Sequence, residues 1–317
     1  SKASILGMPK HKRWVLLANW MDRTMLRNHV AFTMAKKTCL AWTPRGEFVE
    51  VVLNGKHVGN YYLCEQIKVD ENRVNIHEME DTDTEGEAIT GGYLMELDTY
   101  FDEVNKFKSS IKSLPYMFKE PDEDVLNEQQ FAYMQNYVNR LEEVLYDDTY
   151  FAVREYAKYI DIDTYIDWWL VHELAFNGEP NHPKSSYMHK DKGGKLKAGP
   201  VWDFDWGFDY ENGRSYCYSG TTSSVVKTSM SKYMFWEDLT NVESFRKHYY
   251  KVWKEFVEDN SIAELQDYID SYYNFAKTSF QNNANEWGYY CGFREDDRDR
   301  AKQWVEERAN YIYNNLD

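Results

Sequence analysis

The spacing of apolar residues changes twice along the chain. In residues 14–37, Leu17, Met21, Met25 and Phe32 recur at helical intervals, and Leu16 and Leu26 widen the stripe, which predicts one helix. Asp22, Arg23, Arg27 and Asn28 form its polar band, with Asp22 reaching Arg27 only loosely. That band is either a solvated face or a place where Arg27 or Asn28 orients something in a site. The pattern then turns strand-like. Phe48-Val49-Glu50-Val51-Val52-Leu53 runs into Asn54-Gly55, the pair that accepts positive φ at both turn positions, and predicts a hairpin returning from about His57 to Val69. A third strand is expected over residues 91–98, with Glu96 and Asp98 on one face, and a fourth over Tyr116-Met117-Phe118-Lys119.

Beyond Pro121 helical spacing takes over. Helices are predicted over about 123–146 and 161–176, the second capped by Asp161. The turn-rich loop NGEPNHPK (177–184) leads into a hairpin of residues 186–190 and 195–202. A polar excursion follows over about 209–232, then three helices over about 238–257, 261–284 and 297–315. A strand-rich part (1–120) followed by a helix-rich part (121–317) makes the fold α+β, with two lobes and a cleft between them. Clefts of that kind are where small ligands bind.

Composition narrows the function. With 317 residues, 17% of them aromatic, the chain can bury a large core. A net charge of −16 argues against a nucleic-acid partner, whose phosphates would be repelled. No apolar run is long enough to span a membrane, and no signal peptide is visible. Cys39, Cys64, Cys217 and Cys291 contain no CxxC pair, so a zinc cluster is not expected; one or two disulfides and four free thiols are both open.

The densest chemistry lies in GPVWDFDWGF (199–208). Asp203 and Asp205 stand two apart among aromatic and apolar residues, which in a strand puts them on one face. Two like charges in such surroundings call for a cation between them or a partner for each, so they are read as a divalent-metal pair at a strand end; two turn-capping aspartates are the plainer alternative. Glu179 is the sole carboxylate of the preceding loop, and the hairpin delivers the pair to the same end. Lys119, ending an apolar strand, can reach a phosphate, pair with a carboxylate such as Glu96, or extend into water. Glu65, in the hairpin's second strand, is by itself more simply a surface residue. His172, His182 and His189 lack metal-ligand spacing.

Four stretches together resemble the spore-coat protein H (CotH) kinase family: LLANWMDRTMLRNHVAF (16–32), FVEVVLNGKHVGNYYLCEQIKVDENRVNI (48–76), GGYLMELD (91–98) and SSYMHKDKGGKLKAGPVWDFDWGF (185–208). The resemblance implies an atypical protein-kinase-like fold and a Mg-ATP-dependent (or Mn-dependent) protein kinase acting on secreted or surface proteins, spore-coat proteins among them. It aligns Asp203 and Asp205 with the family's metal-binding WDFD motif. The family's catalytic acid, usually Asp, falls in the loop where this chain has only Glu179. A strand lysine with an acidic partner is also implied, and Lys119 with either Glu65 or Glu96 are the candidates for the nucleotide side of the site. An extracytoplasmic or cell-surface location and a protein substrate follow from the same resemblance.

Three other readings compete. An Asp-x-Asp after an apolar strand also marks metal-dependent glycosyltransferases, but hairpins rather than βαβ units precede it here. An EF-hand fails because the loop lacks its position-six glycine. The non-enzyme alternative is a kinase-like chain without turnover, serving as a surface or glycan-associated binding module.

Overall fold

The computed structural model describes residues 1–22, 24–208, 236–288 and 294–316. The excursion expected over 209–232 lies outside these, as do Cys217 and Cys291; Cys39 and Cys64 are free thiols.

The first departure from the sequence reading is at the N-terminus. Residues 14–37 are not one helix: Trp14–Leu17 form an edge strand, β1, and the helix α1 covers only Arg27–Ala35. Asn19 and Met25 take left-handed backbone (φ 49° and 61°), which no helix can contain. Between them the Asp22 carboxylate accepts from the N–H groups of Thr24 (3.0 Å) and Arg27 (2.8 Å), starting α1 late. Of the apolar residues at helical spacing, Met25, Leu26 and Phe32 are buried and Leu17 packs against the core, whereas Leu16 and Met21 are exposed.

β2 (Gly46–Leu53) and β3 (Lys56–Glu65) form the expected hairpin, with Asn54 and Gly55 at φ 52° and 80°. With β1 they make a three-stranded antiparallel sheet in the order β1-β3-β2. A five-stranded sheet holds β4 (Tyr93–Leu97), β5 (Lys106–Lys108), β6 (Pro115–Glu120), β7 (Ser186–Lys190) and β8 (Leu196–Ala198), ordered β5-β6-β4-β7-β8. Strands from both sides of residue 120 therefore share this sheet.

The helices α2 (Glu128–Tyr146), α3 (Asp148–Ala152) and α4 (Ile162–Ala175) follow the first strands, and α5 (Trp236–Thr240), α6 (Glu243–Glu258), α7 (Ser261–Trp287) and α8 (Glu295–Asn314) complete the chain. Asn127 and Gln130 close a capping box on α2, and Asp161 caps α4 through the Thr164 N–H. Every residue of α4 from Thr164 to Ala175 is buried, so it is a core helix rather than an amphipathic one. α1 packs on α4 and α7, and α7 packs on β3. The architecture is α+β and compatible with a two-lobed kinase-like fold.

Candidate active site

The end of α4 builds the site. Phe176 terminates the helix in left-handed backbone (φ 48°), and the next residue, Asn177, turns its side chain across to the 203–208 segment, donating to the Asp203 carbonyl (2.9 Å). The Phe208 N–H donates to the Ala175 carbonyl (2.7 Å), and Phe204 stacks on the buried His172 ring (4.9 Å). The segment is therefore laid along the helix end. It is not a strand: β8 stops at Ala198, before Gly199 (φ 97°) and Pro200, which has no N–H to offer a ladder. The expectation that Asp203 and Asp205 share the face of a strand gives way to a turn in which Asp203 itself is left-handed (φ 63°). Such backbone in a non-glycine residue is held only by surrounding contacts and clusters at functional sites.

α1 supplies the second half of the support. Asn28 acts as a two-point clamp: its Nδ2 donates to Asp205 Oδ1 (2.6 Å) and its Oδ1 accepts from the Phe204 N–H (2.7 Å). Arg27, fully buried, is paired with the equally buried Asp22 and donates through Nε to the carbonyls of Gly207 (2.8 Å) and Phe208 (3.0 Å). The loose Asp22–Arg27 pairing expected from sequence is thus a tight buried ion pair, reached because the chain folds back before the helix begins.

Ser185, also left-handed (φ 48°), joins two carboxylates: its N–H donates to Asp98 Oδ2 (3.1 Å) and its Oγ to Asp203 Oδ2 (3.2 Å). Glu179 opens a short 3-10 turn, and its carbonyl accepts from the Lys184 N–H (2.8 Å). Its side chain is 5% exposed. Burial first, then repulsion from Asp203, pushes its carboxyl up to about 8, with Lys184 opposing. Asp205 is pushed up to about 7 by burial and by Asp203, and Asp203 is raised by burial against the hydrogen bonds from Ser185 and the Asp205 N–H. Four carboxylates (Asp98, Glu179, Asp203, Asp205) therefore converge with too little positive charge to balance them.

Among the described residues no group of three or more His, Cys, Asp or Glu side chains is placed to hold a metal ion. An all-oxygen pair of buried carboxylates is instead the donor set of a hard dication that takes its other ligands from phosphate and water. Asp203 and Asp205 fit that demand.

Lys119 lies on β6 beside β4, its Nζ 3.4 Å from Glu96 Oε2 and 2.5 Å from Glu103 Oε1. Burial alone would lower its ammonium; Glu103 and Glu96 outweigh that and raise it. Glu96 is pushed up to about 7 by burial, with Lys119 opposing. Of the two carboxylates expected beside Lys119, the structure brings Glu96. Glu65 is taken up by Arg45, which donates to both its oxygens (3.0 and 2.8 Å), and it is fully buried rather than a surface residue. A cavity of about 670 Å³ opens beside Lys119, between the two sheets, walled by Arg13, Gln66, Lys68, Phe118, Tyr187 and Trp202. Trp202 links it in sequence to Asp203.

The sequence matches the CotH kinase protein family over residues 1–312. The chain belongs to the CotH kinase family. No curated protein matches it. Family membership makes this CotH chain a kinase-like protein. Asp98, Asn177 and Ser185 carry no local sequence signal of a site, although Ser185 opens one of the stretches carrying the resemblance and Asp98 closes another.

Proposed function

We propose that this CotH kinase is an ATP- and Mg²⁺-dependent phosphotransferase that modifies a hydroxyl of a secreted or surface protein. The observation carrying the reading is the convergence of Glu179, Asp98, Asp203 and Asp205 at the end of α4, next to a cleft that holds Lys119. Phosphoryl transfer asks mainly for placement and charge neutralisation, which a cluster of this kind provides. A dication at Asp203 and Asp205 would neutralise the phosphate charge and, by its field, lower the neighbouring carboxyls.

Lys119, held by Glu96 and Glu103, offers its ammonium to the phosphates. Glu65 acts at a distance, fixing the strand end from which Gln66 and Lys68 enter the cleft. The acceptor hydroxyl gives its proton to the Glu179 carboxylate as its oxygen bonds the γ-phosphorus and the bond to ADP breaks. A carboxyl raised by burial suits a general base working near neutral pH. The family resemblance supports an extracytoplasmic protein as substrate. No helix among the described residues is long and apolar enough to cross a membrane.

The test is incubation with Mg²⁺ and γ-labelled ATP, alone and with an acceptor protein. Label on protein that disappears in Asp203→Ala supports the proposal. No transfer, together with no thermal shift from any nucleotide–metal pair, refutes it in favour of a kinase-like binding module.

A further inference from the structure

Three cations line the cleft beside Lys119: Arg13, Lys68 and Lys119 itself. Two of them are already matched. Lys119 is shared between Glu96 and Glu103, two carboxylates against one ammonium. Lys68 is paired with Glu120 (2.8 Å). Glu103 lines the same space, and Asp122 and Glu123 reach it from an exposed turn. A phosphate chain entering there meets carboxylates as well as cations, so it needs a positive charge that no carboxylate holds. Arg13 has that charge: among the described residues no carboxylate pairs with its guanidinium.

The backbone of Arg13 is pinned at both ends. Its N–H donates to His11 Nδ1 (2.9 Å), and its carbonyl accepts from Arg73 Nη2 (2.9 Å). Arg73 is buried; its Nη1 also donates to the Gln66 carbonyl (2.6 Å), its guanidinium lies over the Trp14 ring (5.3 Å), and Glu65 Oε1 is 3.9 Å from its Nε. One buried guanidinium therefore ties the start of β1 to the chain just beyond β3, the two segments that bring Arg13, Gln66 and Lys68 to the cleft. Arg13 and Val15, two apart at the start of β1, both line the cleft, while Trp14 between them lies under Arg73.

We propose that Arg13 is a phosphate-binding residue of the cleft, its guanidinium taking two oxygens of the nucleotide's phosphate chain. The proposal rests on the phosphotransfer reading and adds to it a residue that lies before the first stretch carrying the family resemblance. A guanidinium is planar and presents paired N–H donors that match two oxygens of one phosphate. Lys119 meets the phosphates from a setting that its two carboxylates leave negative; Arg13 adds the uncompensated charge. Because the Arg13 backbone is already anchored, binding orders one side chain and not a loop.

The test is calorimetric titration of the intact chain with Mg·ATP. Arg13→Gln should weaken binding by about 10–100-fold, the usual worth of a hydrogen bond to a charged group. The melting temperature should not change, because Arg13 is exposed and its backbone contacts remain. Arg13→Lys keeps the charge without the fork and should recover part of the loss. Lys12→Gln removes a neighbouring exposed charge outside the described lining of the cleft and should leave the affinity as it is. An Arg13→Gln protein that binds Mg·ATP as well as the parent, or an equal loss in Lys12→Gln, overturns the proposal and leaves the phosphotransfer reading standing. A parent chain that binds no nucleotide–metal pair overturns both.

Discussion

Asn28→Ala isolates the clamp between α1 and the acidic turn. The substitution removes the 2.6 Å bond to Asp205 and strands the Phe204 N–H, which Asn28 Oδ1 accepts at 2.7 Å. The first is a charge-assisted bond, worth about 1.5–3 kcal/mol, and a buried donor left without a partner costs about 1–3 kcal/mol. Stability should fall by about 2.5–6 kcal/mol in the ligand-free protein, with the lower end applying if water reaches the Phe204 N–H. The effect on metal is separate. Asp205 loses the contact that sets its orientation, and loss of such a supporting bond typically costs about 10–100-fold in metal affinity. Asn28→Asp keeps an acceptor for Phe204 but replaces the amide donor to Asp205 with a further carboxylate, so it should not restore the orientation of Asp205. The assay is calorimetry of Mg·ADP and of ADP without metal, beside urea denaturation of each variant. The expected result is a loss confined to the metal-dependent part of the affinity. A folded Asn28→Ala protein that binds Mg·ADP as well as the parent would refute the clamp.

Other consequences can be checked on the same protein. Glu179→Gln should retain nucleotide binding and lose phosphate transfer by about 10²–10⁴-fold, the usual contribution of a positioned base; undiminished transfer would put the acid elsewhere. Lys119→Ala should weaken ATP far more than adenosine in calorimetry, and equal losses would return Lys119 to a purely structural pairing with Glu96 and Glu103. His29, held down to about 3 by burial and then by Lys36, stays neutral in the fold while its unfolded counterpart protonates near 6.5. Its contribution is therefore complete above pH 6.5 and falls as pH drops toward 3, by about 1.4 kcal/mol per pH unit. Buried acids raised in the fold act in the opposite sense, so the quantity to measure is a difference: His29→Gln should gain about 2 kcal/mol on the parent between pH 7 and pH 5 in urea denaturation. Parallel pH curves would show His29 accessible to protons.

What the sequence made legible depended on how far apart the cooperating residues lie. The β2–β3 hairpin could be read because Asn54-Gly55 and its flanking strands are one local instruction, and α4 because Asp161 and the apolar run after it are contiguous. The single helix over 14–37 failed for a local reason that periodicity cannot see. Leu17, Met21 and Met25 do recur at helical spacing, but the Asp22 carboxylate competes for the backbone N–H groups the helix would need, and the left-handed Asn19 and Met25 then put strand and helix on separate paths. Asp203 and Asp205 stand out because two carboxylates among aromatics are anomalous in any conformation, but the strand geometry expected for them is in fact a turn. The side chains that hold them were not visible as a set. Asn28 is 177 residues from Asp205, and Ser185 touches Asp98 across 87. No periodicity or spacing connects such pairs, and each residue alone is an ordinary polar position. The burial of Arg27 is the telling case. The polar band of Asp22, Arg23, Arg27 and Asn28 reads either as a solvated face or as a place where Arg27 or Asn28 orients something; in the fold Arg27 is paired with Asp22 and donates to the carbonyls of Gly207 and Phe208, just beyond the acidic pair. A buried ion pair of this kind is costly to assemble and costlier to break from one side. Its presence next to the turn is explained by what it positions rather than by any stability it adds.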